Sequence, residues 1–319
     1  MRKFSLILSA AALLSLMLAG CGKPSLTVAH QHYTPSGMTA VIKGHSNQKT
    51  VHYQINNGSS KQQTVNGGGY AITLPAKPYK QTIKLTAGGQ RASTEIAKSP
   101  AIMSYNKFKT AYNQALMATA LSKKDQATAM QLQKQGAQLK QQEVQLKAKT
   151  KAAQAKLKAG DMSAQTTLVT VAKQGAQLQA SGAKLKQTQA ALAPALAKAK
   201  KQVANKTITA KARTGVYNLK TTSTATVRGN VDGKQLIGAT LMVPTSSLKS
   251  KKAARTFMTE LAVLTGSTGA NTQTVLKGFA NKANKKNSQQ TTTSTIHSKG
   301  IDFDLGYSTS TLYIYVTHH

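Results

Sequence analysis

The sequence predicts a multidomain chain: an all-β sandwich, a long antiparallel α-helical hairpin of coiled-coil type, and a C-terminal α+β domain with an antiparallel sheet. Three patterns carry this prediction. Apolar and polar residues alternate before residue 100, apolar residues recur at steps of three and four between 102 and 205, and alternation returns around two helical stretches from 207 onward. The segments fall at 1–20, 21–100, 101–205 and 206–319.

The first segment opens on Arg2 and Lys3, continues as a mostly apolar run from Phe4 to Leu18 and closes on Ala19 and Gly20. Basic start, short apolar run and small residues make a secretory signal peptide. The run is short of the roughly 20 apolar residues a membrane span needs. Leu18-Ala19-Gly20-Cys21 resembles the lipobox of bacterial prolipoproteins. That resemblance implies a diacylglyceryl group on the Cys21 sulfur, cleavage before Cys21, and a bacterial cell-surface lipoprotein anchored on the extracytoplasmic face of the cell membrane. Two acyl chains are what stable anchoring takes. Cys21 is the only cysteine, so a lipidated mature chain has no thiol left for disulfides, redox exchange or thiolate catalysis.

From 25 to about 97 the pattern is of short strands. Val51, Tyr53 and Ile55 alternate with polar neighbours, Asn57-Gly58 marks a hairpin, and Tyr70, Ile72 and Leu74 alternate again before Pro75. Ile83 and Leu85 mark another strand, and Thr94 to Ala97 a last one. The stretch Gly69 to Ala87 is similar to bacterial immunoglobulin-like modules, a resemblance that implies an Ig-like sandwich used as a spacer or adhesive unit.

Residues 102–205 are rich in Ala, Gln, Lys and Leu, with proline only at 194. One stripe runs Leu132, Gly136, Leu139, Glu143, Leu146, Thr150, Ala153, Leu157; another runs Leu168, Val171, Gly175, Leu178, Gly182, Leu185, Gln189, Leu192. Ala159-Gly160-Asp161-Met162 is a helix stop followed by a start. Folding back there opposes residues whose numbers sum to 321, so Leu146 meets Gly175, Leu139 meets Gly182 and Gly136 meets Leu185. Large faces small repeatedly, which fills facing layers. The hairpin would be roughly 50 Å long at about 1.5 Å per residue. Glu143 opposite Leu178 and Leu132 opposite Gln189 break the pattern. Lys134-Gln135-Gly136-Ala137-Gln138-Leu139 recurs as Lys173 to Leu178, a repeat read as glycines at a close helix crossing. A capping signal at Ser122 to Asp125 starts the first arm, and a shorter helix over about Ile102 to Leu121 carries Tyr105, Phe108 and Tyr112 on one side.

The last segment reads as three strands, two helices and three strands. Val231-Asp232-Gly233-Lys234 is a hairpin turn, Ser247 to Leu264 an amphipathic helix and Thr272 to Lys286 a second one. With a turn at Thr309-Ser310, Phe303 faces Val316 and Leu305 faces Ile314. Helices on one face of an antiparallel sheet follow.

The charge is extreme: 43 Lys and Arg stand against 8 Asp and Glu, and the five arginines leave the excess to lysine. Nine basic residues face one acidic in 22–101, seventeen face three in 102–205, and fifteen face four in 206–319. No segment is neutral, which points to anionic envelope polymers or lipid headgroups as partners. Little arginine and no tryptophan argue against specific nucleic-acid recognition, which favours arginine forks and stacking aromatics.

Chemistry is sparse. On the polar face of the last hairpin Asp302 and Asp304 lie beside Tyr313 and Tyr315, a possible cation or sugar patch. His30 and His32 would share a strand face and could bind metal with His45 or His52, though no third ligand stands at fixed spacing. His318 and His319 are expected to fray. Ser246-Ser247-Leu248-Lys249 matches SxxK without its companion motifs, and phosphate loops and GxSxG are absent. No cofactor and no catalytic constellation is indicated. The expectation is a non-enzymatic binding or structural module; the alternative is a ligand carrier or hydrolase using a polar pocket in the C-terminal domain.

Overall fold

The computed structural model describes residues 23–248, 250–283 and 295–319. The signal segment, Cys21, Lys249 of the SxxK match and the end of the second helix reading beyond Ala283 lie outside the described residues. The chain forms two compact units, one made of the residues up to Phe108 together with Thr209–His319, the other of Lys109–Ile208. Residues 23–100 and 209–319 thus belong to a single unit, into which the helical segment is inserted in sequence. Most strand pairing is antiparallel, and the helical region is long.

In the first unit two sheets face each other across one core. One is β1 (Leu26–Val28), β3 (Thr39–Ser46) and β6 (Gly69–Pro75), in the order β1-β3-β6. The other runs β2-β8-β7-β4-β5, built from β2 (His32–Tyr33), β4 (Thr50–Ile55), β5 (Lys61–Thr64), β7 (Gln81–Ala87) and β8 (Gln90–Ile96). Alternation explains the layering: Ala40, Ile42, Tyr70, Ile72 and Leu74 from one sheet are buried with Val51, Ile83, Leu85 and Ile96 from the other. The turn after β4 uses Asn56 and Asn57 at φ 49° and 62°, a left-handed backbone that asparagine tolerates. Between β1, β3 and β6 the phenol of Tyr70 crosses the sheet and donates to the Thr27 carbonyl at 2.8 Å. Burial, and secondarily the neighbouring Tyr33, pushes the Tyr70 hydroxyl up to about 12.

The second sheet system of this unit is ordered β10-β11-β12-β15-β14-β13, from β10 (Gly215–Thr221), β11 (Thr226–Asp232), β12 (Gln235–Pro244), β13 (Ile296–Ser298), β14 (Ile301–Tyr307) and β15 (Thr311–His318). Phe303 pairs with Val316 and Leu305 with Ile314, in the register that the apolar alternation dictates. A two-residue strand, β9 (Met103–Ser104), also pairs with β12, so the expected helix from Ile102 begins later, at Tyr105. The helix expected from Ser247 is likewise displaced. Thr245–Leu248 form a short 3-10 turn, and α4 (Lys251–Ser267) starts behind Ser250, whose hydroxyl accepts from the Ala253 N–H at 3.1 Å. α5 (Thr272–Ala283) packs on β13, where a Cβ at Gly278 would lie 2.9 Å from Ile296.

β12 is buried on both faces. On one side Leu241 and Val243 continue the apolar layer of Phe303 and Ile314; on the other, Gly238 lies against Met38, with 3.0 Å between a Cβ there and Met38 Cγ. Asn230, fully buried, donates from Nδ2 to the Met38 and Ala76 carbonyls at 3.2 and 2.7 Å, and Lys77 pairs with Asp232. These bonds satisfy backbone carbonyls that would otherwise be costly to bury. They join the two sheet systems into one unit.

The second unit contains α1 from Lys109 onward (α1 being Tyr105–Thr119), α2 (Lys123–Lys158) and α3 (Ala164–Val203). Ser122 caps α2 by accepting from the Asp125 N–H at 3.1 Å. Asn113 brackets Ile208, donating to its carbonyl at 3.0 Å and accepting from its N–H at 2.8 Å. α2 and α3 pack with Leu185 beside Gly136 and Leu146 beside Gly175. Between them only Leu132, Ala153, Ala164, Val171, Leu192, Ala199 and Val203 are buried, because two helices alone cannot cover a leucine stripe from both sides.

The glycines of the KQGAQL repeat, and Gly182 beyond it, do not mark a close crossing. A Cβ at Gly136 would lie 3.8 Å from Leu185, one at Gly175 3.6 Å from Leu146, and one at Gly182 within 4 Å of nothing. These are ordinary contacts or open space. Alanine at each position therefore removes the glycine penalty of about 1 kcal/mol per site with no clash. The Gly136→Ala, Gly175→Ala and Gly182→Ala variants are expected to raise the unfolding midpoint of the helical signal by circular dichroism, the triple variant by about 2–3 kcal/mol. A lower midpoint in any single variant would show a tighter seam than this geometry allows.

Candidate functional site

Two surfaces carry chemistry, one on each unit. On the helical unit it is lysine. The sixteen lysines from Lys123 to Lys206 are all exposed. Among the described residues only Lys147 of this set is ion-paired, to Glu143 at 2.7 Å, and that contact holds the Glu143 carboxyl below the usual range. Asp161 is lowered too, first by the Ser163 hydroxyl hydrogen bond and then by the Ser163 backbone. Lys140, Lys147, Lys151 and Lys158 stand 7, 11 and 18 residues along α2 from the first, spacings that return to one helix face. They form a cationic row about 27 Å long beside the leucine seam. On α3, Lys173, Lys184 and Lys198 share the face opposite the seam.

On the first unit the expected patch of Asp302, Asp304, Tyr313 and Tyr315 is divided between different tasks. The rings of Tyr313 and Tyr315 stack with centroids 6.0 Å apart. Tyr315 lies over Gly306 and over the Gly37 turn, where added Cβ atoms would meet its ring at 3.0 and 2.8 Å. Its ring serves packing, and burial raises its hydroxyl pKa, with Tyr313 adding to the rise. Asp304 accepts from the Thr295 hydroxyl. Asp302 turns to two histidines, with Oδ1 2.6 Å from His297 Nδ1 and Oδ2 3.1 Å from His319 Nδ1.

The histidine expectations are exchanged. His30 precedes β2, touches Tyr33 edge-on, and shares no ligand set with His32. His32 lies 3.5 Å from Glu95, whose carboxyl is held low chiefly by the Lys80 hydrogen bond. Among the described residues the group of His, Cys, Asp and Glu placed closely enough to hold a metal is His297, Asp302 and His319. His319 is not frayed, since its N–H donates to the Gly300 carbonyl at 2.8 Å. His297 carries no local signal in the sequence, whereas period-two parity places Thr317 and His319 on the face of Asp302.

No protein-family model matches the chain, and no curated protein matches it. Among solved structures, a crystal structure of an FMN-binding beta-glucuronidase from Facaelibacterium prausnitzii L2-6 is 20% identical with a TM-score of 0.22, over 24% of this chain and 12% of that one. The crystal structure of a Br derivative of BhCBM56 is 13% identical with a TM-score of 0.15, over 23% of this chain and 85% of that one. The matched part thus spans about an eighth of the glucuronidase's length. Scores this low establish no common fold, and neither protein bears on the function of this one.

Proposed function

We propose that this chain is a lipid-anchored extracellular protein, tethered through Cys21, that acts as a non-enzymatic binding or structural module for anionic envelope polymers. In this reading the two facing N-terminal sheets are an immunoglobulin-like spacer, and α2 with α3 is an antiparallel coiled-coil rod. The supporting observation is the lysine surface of the rod: sixteen exposed ammonium groups between 123 and 206 against three carboxylates, Asp125, Glu143 and Asp161. A stability role does not account for it, because like charges along one helix face repel. A polyanion converts the repulsion into affinity by displacing its own condensed counterions.

The test is the salt dependence of binding to a polyglycerol-phosphate polymer. If the rod engages six or more phosphates, affinity falls by roughly a thousandfold between about 50 and 200 mM salt. Replacing Lys140, Lys147, Lys151 and Lys158 together with glutamine lowers the salt slope by about 3–4 while leaving the fold intact, since all four are exposed. Salt-insensitive binding, or equal affinity for a neutral glycan, would refute the reading.

A further inference from the structure

We propose that His297, Asp302 and His319 form a binding site for a divalent transition-metal ion of the zinc class. The site belongs to the first unit and does not rest on the polymer-binding reading.

Strand register builds it. Asn230, Gly238, Thr317, Asp302 and His297 form one row across β11, β12, β15, β14 and β13, each directly opposite the next. Side chains in such a row emerge on the same face of the sheet. The row begins fully buried at Asn230 and ends at the edge strand, where the His297 side chain is 60% exposed. His319 lies two residues beyond Thr317, which returns it to the same face, and its N–H bond to the Gly300 carbonyl holds the chain end alongside β14. The two imidazoles therefore reach Asp302 from the strands flanking β14 and meet each other edge to face, with ring centroids 4.9 Å apart at 76°.

The donors fit a metal of this class. Nitrogen from two imidazoles and oxygen from one carboxylate is a set that borderline divalent ions take, zinc at about 2.0–2.2 Å from each atom. The candidate ligand atoms all lie within 4.8 Å of one another. A tetrahedral ion spaces its ligand atoms at about 3.3–3.5 Å, so the three groups need shifts of about an ångström. Both histidines have the rotamer freedom for that, at 60% and 67% side-chain exposure, whereas Asp302 at 18% is the fixed point. The fourth position stays open to water, as at sites with three protein ligands.

The partners of Asp302 argue for a metal over a plain ion pair. This chain carries an excess of 35 positive charges, nearly all lysine. Among the described residues no lysine pairs with Asp302; its two partners are histidines, whose ring nitrogens are common metal ligands. Ion pairs to side chains as exposed as these two histidines contribute little stability, which gives their convergence on one carboxylate a weak structural rationale.

The experiment titrates the purified, chelator-stripped protein with Zn²⁺ by calorimetry, and with Co²⁺ by visible absorption to report the ligand field. One ion per chain is expected, with a higher melting temperature at saturating zinc because the ion binds the folded state. His297→Ala, His319→Ala and Asp302→Asn should each weaken binding at least about tenfold. A His30→Ala/His32→Ala double variant should bind as the parent does. Circular dichroism verifies that each variant remains folded. Absence of saturable binding, binding kept by the three single-site variants, or binding lost in the His30/His32 variant would overturn the site.

Discussion

Gly44→Ala is expected to destabilise the first unit by about 2–6 kcal/mol, the largest effect of any single-methyl addition in the described chain. Gly44 sits at an inward position of β3, directly opposite Tyr70 on β6 and Val28 on β1. A Cβ built there overlaps the Thr27 carbonyl oxygen and both Oη and Cζ of Tyr70. Two costs add. Overpacking a filled site costs about 1–3 kcal/mol, and if Tyr70 retreats, its buried hydroxyl and the Thr27 carbonyl lose their 2.8 Å bond, about 1–3 kcal/mol more. Neither group can be rescued cheaply, because Tyr70 is 5% exposed and is held among the apolar side chains of both facing sheets.

The partner substitution separates these costs. Tyr70→Phe removes one of the overlapping atoms, so in the double variant Gly44→Ala should cost less than it does alone. The coupling is expected at about 0.5–3 kcal/mol, read from denaturant midpoints of the four proteins in a double-mutant cycle. Additive effects would place the strain on β1 and the Thr27 carbonyl alone and remove Tyr70 from the explanation.

What was legible in the sequence depended on how locally each feature is determined. The pairing of Phe303 with Val316 and Leu305 with Ile314 follows from period-two alternation around a short turn, where slipping one residue would expose every apolar side chain. The Ser122 cap lies within a single turn of the helix it starts. Met103–Ser104 shows no strand signal of its own, because its pairing is with Gln235 and Leu236, more than 130 residues away, and two residues carry no periodicity. The glycines facing Leu185 and Leu146 were located correctly but misread in meaning, since a small residue in a stripe marks either a tight contact or a gap and the sequence does not distinguish them. The candidate metal site was half legible. Asp302 stands out as a scarce acid and shares a face with Thr317 and His319 by parity, whereas His297 is brought beside it only by the pairing of β13 with β14.

Cys21→Ser is expected to release the protein from membranes completely, provided attachment is separated from electrostatic adhesion. A chain with this lysine excess will adhere to anionic bilayers with or without a lipid. Salt distinguishes the two modes. At about 1 M salt the screening length falls to about 3 Å, and surface attraction of exposed lysines is largely lost. Two acyl chains are unaffected, because their burial is hydrophobic and contributes about 0.8 kcal/mol per CH₂. No helix among the described residues is long and apolar enough to cross a membrane, and the run from Phe4 to Leu18 falls short of a span even if it is retained. The parent protein should therefore stay with the membrane through a high-salt wash and require detergent, with a mass equal to residues 21–319 plus a diacylglyceryl group. The serine variant should lack that added mass and leave with the salt. A serine variant that resists the wash and still needs detergent would mean that something other than Cys21 anchors the chain.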